Sequence, residues 1–284
     1  MKLKENRVFS FLMVSMVYVI AIVVGIIACY VLPFSLWLNV LIADVISTVV
    51  TFIFSLIFKN SSVYDPYWSV QPIVIIVALA VSVPINAARI LPLIAICVWG
   101  IRLTANWAYT FHSFSYQDWR YVMLKEKTGA FYPLINFLGI HLFPTLVVYS
   151  CMLPVIYTFI LDFSVNTGSV IFFILSLAAT LLQGTADVQM HSYRKHRTTN
   201  FIKVGLWKYS RHPNYLGEIL MWWGIALAFV CAVPSMWYLA YGALINTLMF
   251  LFVSVPMADN RQSKKQGFDE YKKSTRMLFP IKKF

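Results

Sequence analysis

The sequence predicts an all-α fold: a polytopic bundle of about 7–8 membrane-spanning helices. Three observations carry that expectation. Hydrophobic residues make up 60% of the 284-residue chain and charged residues only 12%, whereas soluble domains carry roughly 25% charged residues. The apolar residues fall into long runs, and a spanning helix needs about 20 of them. The charge is also lopsided, with 23 Lys and Arg against 11 Asp and Glu for a formal +12, concentrated between and after the runs. This composition excludes a disordered chain, a disulfide-stapled secreted domain and a collagen-like repeat.

Taken in order, the runs are 8–31, 34–58, 69–86, 89–111, 132–161, 168–190, 215–233 and 236–257. The first carries Lys2, Lys4 and Arg7 ahead of it, and Ile26-Ile27-Ala28-Cys29 is similar to a lipoprotein cleavage box. It is too long for an ordinary signal sequence and further runs follow at once, so it is expected to stay as an anchor. Pro84, Pro92, Pro144 and Pro154 interrupt the runs, which membrane helices tolerate. The longer connectors, 112–131 and 191–214, are polar, and the tail after Met257 is basic. No internal repeat is visible, so residues 1–284 read as one membrane domain.

Eight spans place both termini on one side. With Arg102 counted at its nearer end, that side receives every Lys and Arg except Arg89. Positive residues mark the cytoplasmic side, so both termini are expected there, in a bacterial cell membrane. The basic side also suits anionic membrane lipid. Cys29, Cys97, Cys151 and Cys231 all lie in apolar runs without metal-like spacing. They read as small buried residues, and no metal site is expected.

Ionisable residues inside membrane helices are costly and mark candidate sites. Here they are Asp44, Arg102, His141, Asp187 and Glu218, with Asp65 and Arg89 near run ends. Asp44 has no evident partner in the sequence. Gln183, Asp187 and Arg194 are spaced by four and seven, which puts them on one helical face. An amide, a carboxylate and a guanidinium in line suit a nucleotide. They equally suit a polar stripe leading out of the membrane, and the residues alone leave both readings open. Downstream, Pro213 fits the first position of a helix, and Asn214 and Glu218 then share a face. Helix N-termini favour anions, which Arg211 and His212 immediately before would reinforce.

The stretch Gly205-Leu206-Trp207-x-Tyr209-Ser210-Arg211-His212-Pro213-Asn214-Tyr215-Leu216-Gly217-Glu218, followed by Trp222-Trp223-Gly224, resembles the steroid 5α-reductase C-terminal family. It is most similar to that family's bacterial branch of membrane proteins of unknown function. The tail resembles it too, through Gly267-Phe268-Asp269-Glu270-Tyr271 and Arg276-x-x-Phe279-Pro280. The match is specific over about 183–280. In the N-terminal half it rests on Asp65-Pro66-Tyr67-Trp68 and Trp99-x-x-Arg102-Leu103.

The resemblance implies a helical bundle whose cytoplasmic half encloses NADPH, with residues 1–131 on the substrate side and 132–284 carrying the cofactor motifs. It implies reduction of a C=C bond conjugated to a ketone in a lipid-like, steroid-type substrate. Carried over by residue, Gln183, Asp187 and Arg194 hold the adenosine end of the cofactor. Asn214 meets the nicotinamide amide, with Arg211, His212 and Tyr215 nearby and Glu218 lining the cavity. Lys195 and Tyr209 join this set, and Arg261 and Tyr271 are looser matches. Asp65 becomes the acid that polarises the ketone. Trp99, next to Arg102 in the motif, stands where the family has a tyrosine. Asn260 and Pro256 also depart from the His and Arg of the animal steroid enzymes. The implied chemistry is hydride transfer to the β-carbon, with a donor aimed at the charge developing on the ketone oxygen.

The cluster Arg194, Lys195, Arg197, Lys203, Lys208 and Arg211 suits the phosphates of NADPH, and no Gly-x-Gly-x-x-Gly run points to a Rossmann site. The expected partners are therefore the enone and membrane lipid, with no nucleic acid. The main rival is a membrane methyltransferase of the isoprenylcysteine or phospholipid type using S-adenosylmethionine, which shares Arg-His-Pro-x-Tyr. Its motif normally lacks the Asn-Tyr-Leu-Gly-Glu continuation. A lipid-binding or transport protein is the distant third, because polar residues at the bilayer midplane and repeated halves are not the pattern here.

Overall fold

A computed structural model describes residues 3–197 and 199–279, so Lys2 and Pro280 lie outside the described residues. Helices account for the regular structure, and no strand forms among the described residues. In chain order they are α1 (Arg7–Val31), α2 (Leu36–Phe58), α3 (Tyr67–Ser82), α4 (Ala87–Thr110) and α5 (Trp119–Thr128). α6 (Tyr132–Ile135) runs through a π-helical turn, Asn136–Leu142, into α7 (Phe143–Ile160). α8 (Thr167–Lys195) and α9 (Pro213–Ala232) follow. A second π-helical turn, Phe250–Ser254, joins α10 (Tyr241–Met249) to α11 (Val255–Gln262), and α12 (Phe268–Ser274) is the last helix among the described residues.

Eight helical segments among the described residues are long and apolar enough to cross a membrane. That architecture is compatible with an integral multi-pass membrane protein. The expected third run is displaced: the helical segment begins at Ser61 and ends at Ser82. The end has a local cause. Proline disfavours helical geometry in the residue before it, and Val83, ahead of Pro84, is extended. Pro84 therefore lies between helices, while Pro92 and Pro154 do sit inside α4 and α7. The polar 112–131 connector also contains a helix of its own, α5, whose first turn is capped by the Asp118 side chain.

The apolar residues divide by face. On α1, Leu12, Val19, Val23 and Ile27 point outward, the stripe expected of a lipid-facing helix. The interior is built around Trp99, Trp222, Met152, Met221 and Ile156, all nearly inaccessible. Trp68, Trp99 and Trp222 pack edge to face in a row, with centroids 6.1 and 5.0 Å apart.

The most extensive helix pair is α8 against α9, and two glycines set its closeness. A Cβ at Gly217 would lie 2.7 Å from the Ala179 carbonyl oxygen, and one at Gly224 would lie 2.8 Å from that of Phe172. Small residues let membrane helices approach backbone to backbone. That approach brings Gln183 and Glu218 to one seam.

Candidate functional site

The polar residues of α4, α8 and α9 meet in one buried cluster. Trp99 and Arg102 are three apart on α4, Gln183 and Asp187 four apart on α8, and Glu218 and Trp222 four apart on α9. Each pair shares a face of its helix. Arg102 donates through Nη1 to Asp187 Oδ2 at 2.7 Å and through Nη2 to Gln183 Oε1. Glu218 accepts from two indoles, Trp99 Nε1 on Oε2 and Trp222 Nε1 on Oε1, both at 2.9 Å. Among the described residues Arg102 Nε and Gln183 Nε2, both buried, have no partner within hydrogen-bond geometry, although Gln183 faces Glu218. Asp187 Oδ1 is not used by any hydrogen bond either, because Arg102 takes only Oδ2.

Asp65 is not bonded to this cluster but stands three residues before Trp68, whose ring packs edge to face on Trp99 at 6.1 Å. It accepts a 2.6 Å hydrogen bond from the Tyr121 hydroxyl of α5. The ketone-polarising pair expected at Asp65 and Trp99 is therefore not brought together, because Trp99 turns to Glu218. Tyr121 is a functional candidate that sequence reasoning missed. Its partner is 56 residues away, and no local spacing announces that contact.

Arg211 and His212 require a correction. They do not reinforce an open anion site at the start of α9, because a carboxylate of the chain already occupies them. Asp259 of α11 accepts from Arg211 Nη2 at 2.9 Å and bonds His212 Nε2 at 2.9 Å, with all three side chains buried. Arg211 also donates to the Thr275 carbonyl at 2.6 Å, and its own amide bonds the Arg276 carbonyl at 2.9 Å. This knot fastens the start of α9 to the tail. Asp259 is a lone acid within a short basic stretch, and that isolation was the available clue.

The remaining expected residues lie at the ends of α8 and α9, in the connector between them and in the tail. Asn214, in the first turn of α9, is half-buried and makes no side-chain hydrogen bond to the described residues. Tyr215 stacks on His212 at 5.2 Å. Arg194 and Lys195 end α8, exposed. Tyr209 is exposed beneath Lys208 Nζ, away from the cluster. Tyr271 is a pin for the tail: its hydroxyl donates to the Trp207 carbonyl and its ring meets Phe201. Arg261 lies 4.5 Å over the Trp119 ring. Beside it Lys265 is held below its usual pKa, first by partial burial and then by Arg197, Arg261 and Arg194. These cations have no acidic partner among the described residues, and together they form an electrostatic hole for an anion.

Residues 51–275 match a family described as "Protein of unknown function (DUF1295)". The chain belongs to the DUF1295 family. The matched region of this DUF1295 member takes in the α4–α8–α9 cluster, the Asp65–Tyr121 pair and the Asp259 knot, and it leaves out α1 and most of α2. No curated protein and no solved structure matches the chain.

Proposed function

We propose that this DUF1295 protein is a membrane-embedded, NADPH-dependent reductase of a C=C bond conjugated to a ketone in a lipid-like, steroid-type substrate. The observation that carries the reading is the buried α4–α8–α9 cluster with its unpartnered donors, set below an unpaired cationic rim. The residues fit a dinucleotide phosphate. Arg102 Nε and Gln183 Nε2 are orphaned donors, and orphaned buried polar atoms call for an explanation such as a bound group. The charge-strained Lys265 and its arginine neighbours suit an anion. Asn214 offers a free amide at a helix start.

In this reading Arg194, Arg197, Arg261 and Lys265 hold phosphate. Gln183 and Asp187 Oδ1 meet the sugar or base, and Arg102 fixes both side chains in place. Asn214 orients the nicotinamide amide. When bound, NADPH supplies a hydride to the β-carbon of the enone. The Asp65–Tyr121 pair would donate a hydrogen bond to the ketone oxygen, where negative charge develops, and the resulting enolate would take its proton from water at the α-carbon; Tyr121 replaces Trp99 in the polarising role. Glu218 is saturated by two indole donors and holds the Trp99 and Trp222 rings that wall the site from water. Both termini face the cytoplasm of a bacterial cell membrane in this proposal.

The test is direct. Detergent-purified protein should bind NADPH and oxidise it in the presence of an enone from a steroid, fatty-acyl and isoprenoid panel. Saturable binding of S-adenosylmethionine with none of NADPH would reject the proposal in favour of a methyltransferase.

A further inference from the structure

Asp44 lies outside the family match, and its charge is unbalanced. It is 4% exposed within α2. Tyr67 donates to its Oδ1 at 2.8 Å, so the sequence expectation of no evident partner is corrected. A phenol is neutral, however. Among the described residues no Lys, Arg or His pairs with Asp44. The titratable groups facing it are Tyr67, Tyr64 and Tyr149, which bring no positive charge. A buried carboxylate without a countercharge is very costly.

The second observation is a cavity of about 10 Å³ between α2, α3 and α7, lined among others by Asp44, Tyr67, Trp68, Gln71, Pro72 and Thr145. That is about the room one water needs. Gln71, 7% exposed, lines it and makes no side-chain hydrogen bond to the described residues. Asp44 Oδ2 is likewise unused. The third observation is Pro72 inside α3. Proline has no N–H, so the Trp68 carbonyl four residues earlier lacks its helical donor at the same cavity.

We infer that this cavity binds a single monovalent cation of sodium size. The donors are oxygens: the Asp44 carboxylate, the Gln71 amide oxygen, the Trp68 carbonyl and the Tyr67 hydroxyl. Hard oxygen ligands suit alkali and alkaline-earth ions rather than soft transition metals. One carboxylate balances one positive charge, whereas a divalent ion would leave a net charge buried. The ion ties α2, α3 and α7 together. The inference is independent of the reductase reading.

The experiment is thermal unfolding of the full chain in detergent, in sodium chloride or choline chloride at constant ionic strength. The midpoint should rise saturably with sodium, as for any ligand of the folded state, and Asp44→Asn should abolish the rise. Gln71→Ala should move it to about tenfold higher sodium. Equal midpoints in both salts would overturn the site and assign a proton to Asp44. Where Asp44→Asn does not fold, radiolabelled sodium binding to the wild-type protein decides. Uptake of one ion per chain, displaced by acid, supports the site, and no uptake overturns it.

Discussion

Trp99 of α4 and Glu218 of α9 are 119 residues apart, yet the indole nitrogen of one donates to the carboxylate of the other at 2.9 Å. The second carboxylate oxygen is taken by Trp222 at the same distance. A glutamate 4% exposed thus accepts from two neutral indoles, with the Arg102 charge close by. Glu218→Ala should strand both indoles. Each buried donor left unpaired costs about 1–3 kcal/mol, so the loss should be about 2–6 kcal/mol. Thermal unfolding in detergent reads it, and a midpoint equal to wild type would show that the bonds do not hold the seam.

The α8–α9 seam depends on the absence of side chains at two positions. Gly217→Ala and Gly224→Ala each put a methyl group against backbone oxygen at under 3 Å. Overpacking costs about 1–3 kcal/mol. Both variants should melt earlier, and the double variant should also lose cofactor affinity, because Gln183 and Glu218 no longer meet. Titration with NADPH alongside melting separates the two effects.

Asp259→Asn removes the charge shared by Arg211 and His212. Breaking a buried ion pair from one side costs about 3–5 kcal/mol. The tail, tied to Arg211 through the Thr275 and Arg276 carbonyls, should come loose before the spans do. Limited proteolysis should then cut after residue 262 while the membrane core stays intact. Uniform protection of the tail would contradict this role.

Cofactor binding should depend on pH through Lys265. Its folded-state pKa lies below the ordinary value because of burial and neighbouring arginines. The charged form is therefore disfavoured in the free protein, and that cost to stability fades as pH rises through the lowered pKa and disappears above the unfolded one. A bound phosphate favours the charged form, so NADPH affinity should fall as pH rises through the Lys265 range. Lys265→Ala should flatten the profile, and a profile identical to wild type would remove Lys265 from the site.

Asp187→Ala and Arg102→Ala test the cluster as a unit. Their ion pair is about four-fifths buried on both sides, so a double-mutant cycle should show coupling of about 0.5–3 kcal/mol. Additive losses would mean that the two side chains act separately.

Much of the architecture was legible because hydropathy is a local property. Any stretch of about 20 apolar residues must find lipid or protein, so the number of spans follows from composition along the chain. The i, i+3 and i, i+4 spacings of Trp99 with Arg102, Gln183 with Asp187, and Asn214 with Glu218 were legible for the same reason, since each lies within one helix. The third and fifth runs were misplaced, because their helical segments start at Ser61 and Trp119, in polar stretches that hydropathy passes over.

The pairings between helices were not legible, and they change the chemistry. Spacing put Asp187 on one face with Gln183 and Arg194, and packing hands one of its oxygens to Arg102. Arg211 and His212 read as anion-binding until the tail folds back and Asp259 meets them. Asp65 looked toward Trp99, but it bonds Tyr121. Asp44 looked unpartnered, but it faces Tyr67 and a small cavity. The physical reason is common to all four. A residue's place along the chain sets which face of its helix it occupies, but the rotation and closeness of neighbouring helices set what that face meets. In this protein glycines at the α8–α9 seam and a buried carboxylate in the tail fix those quantities.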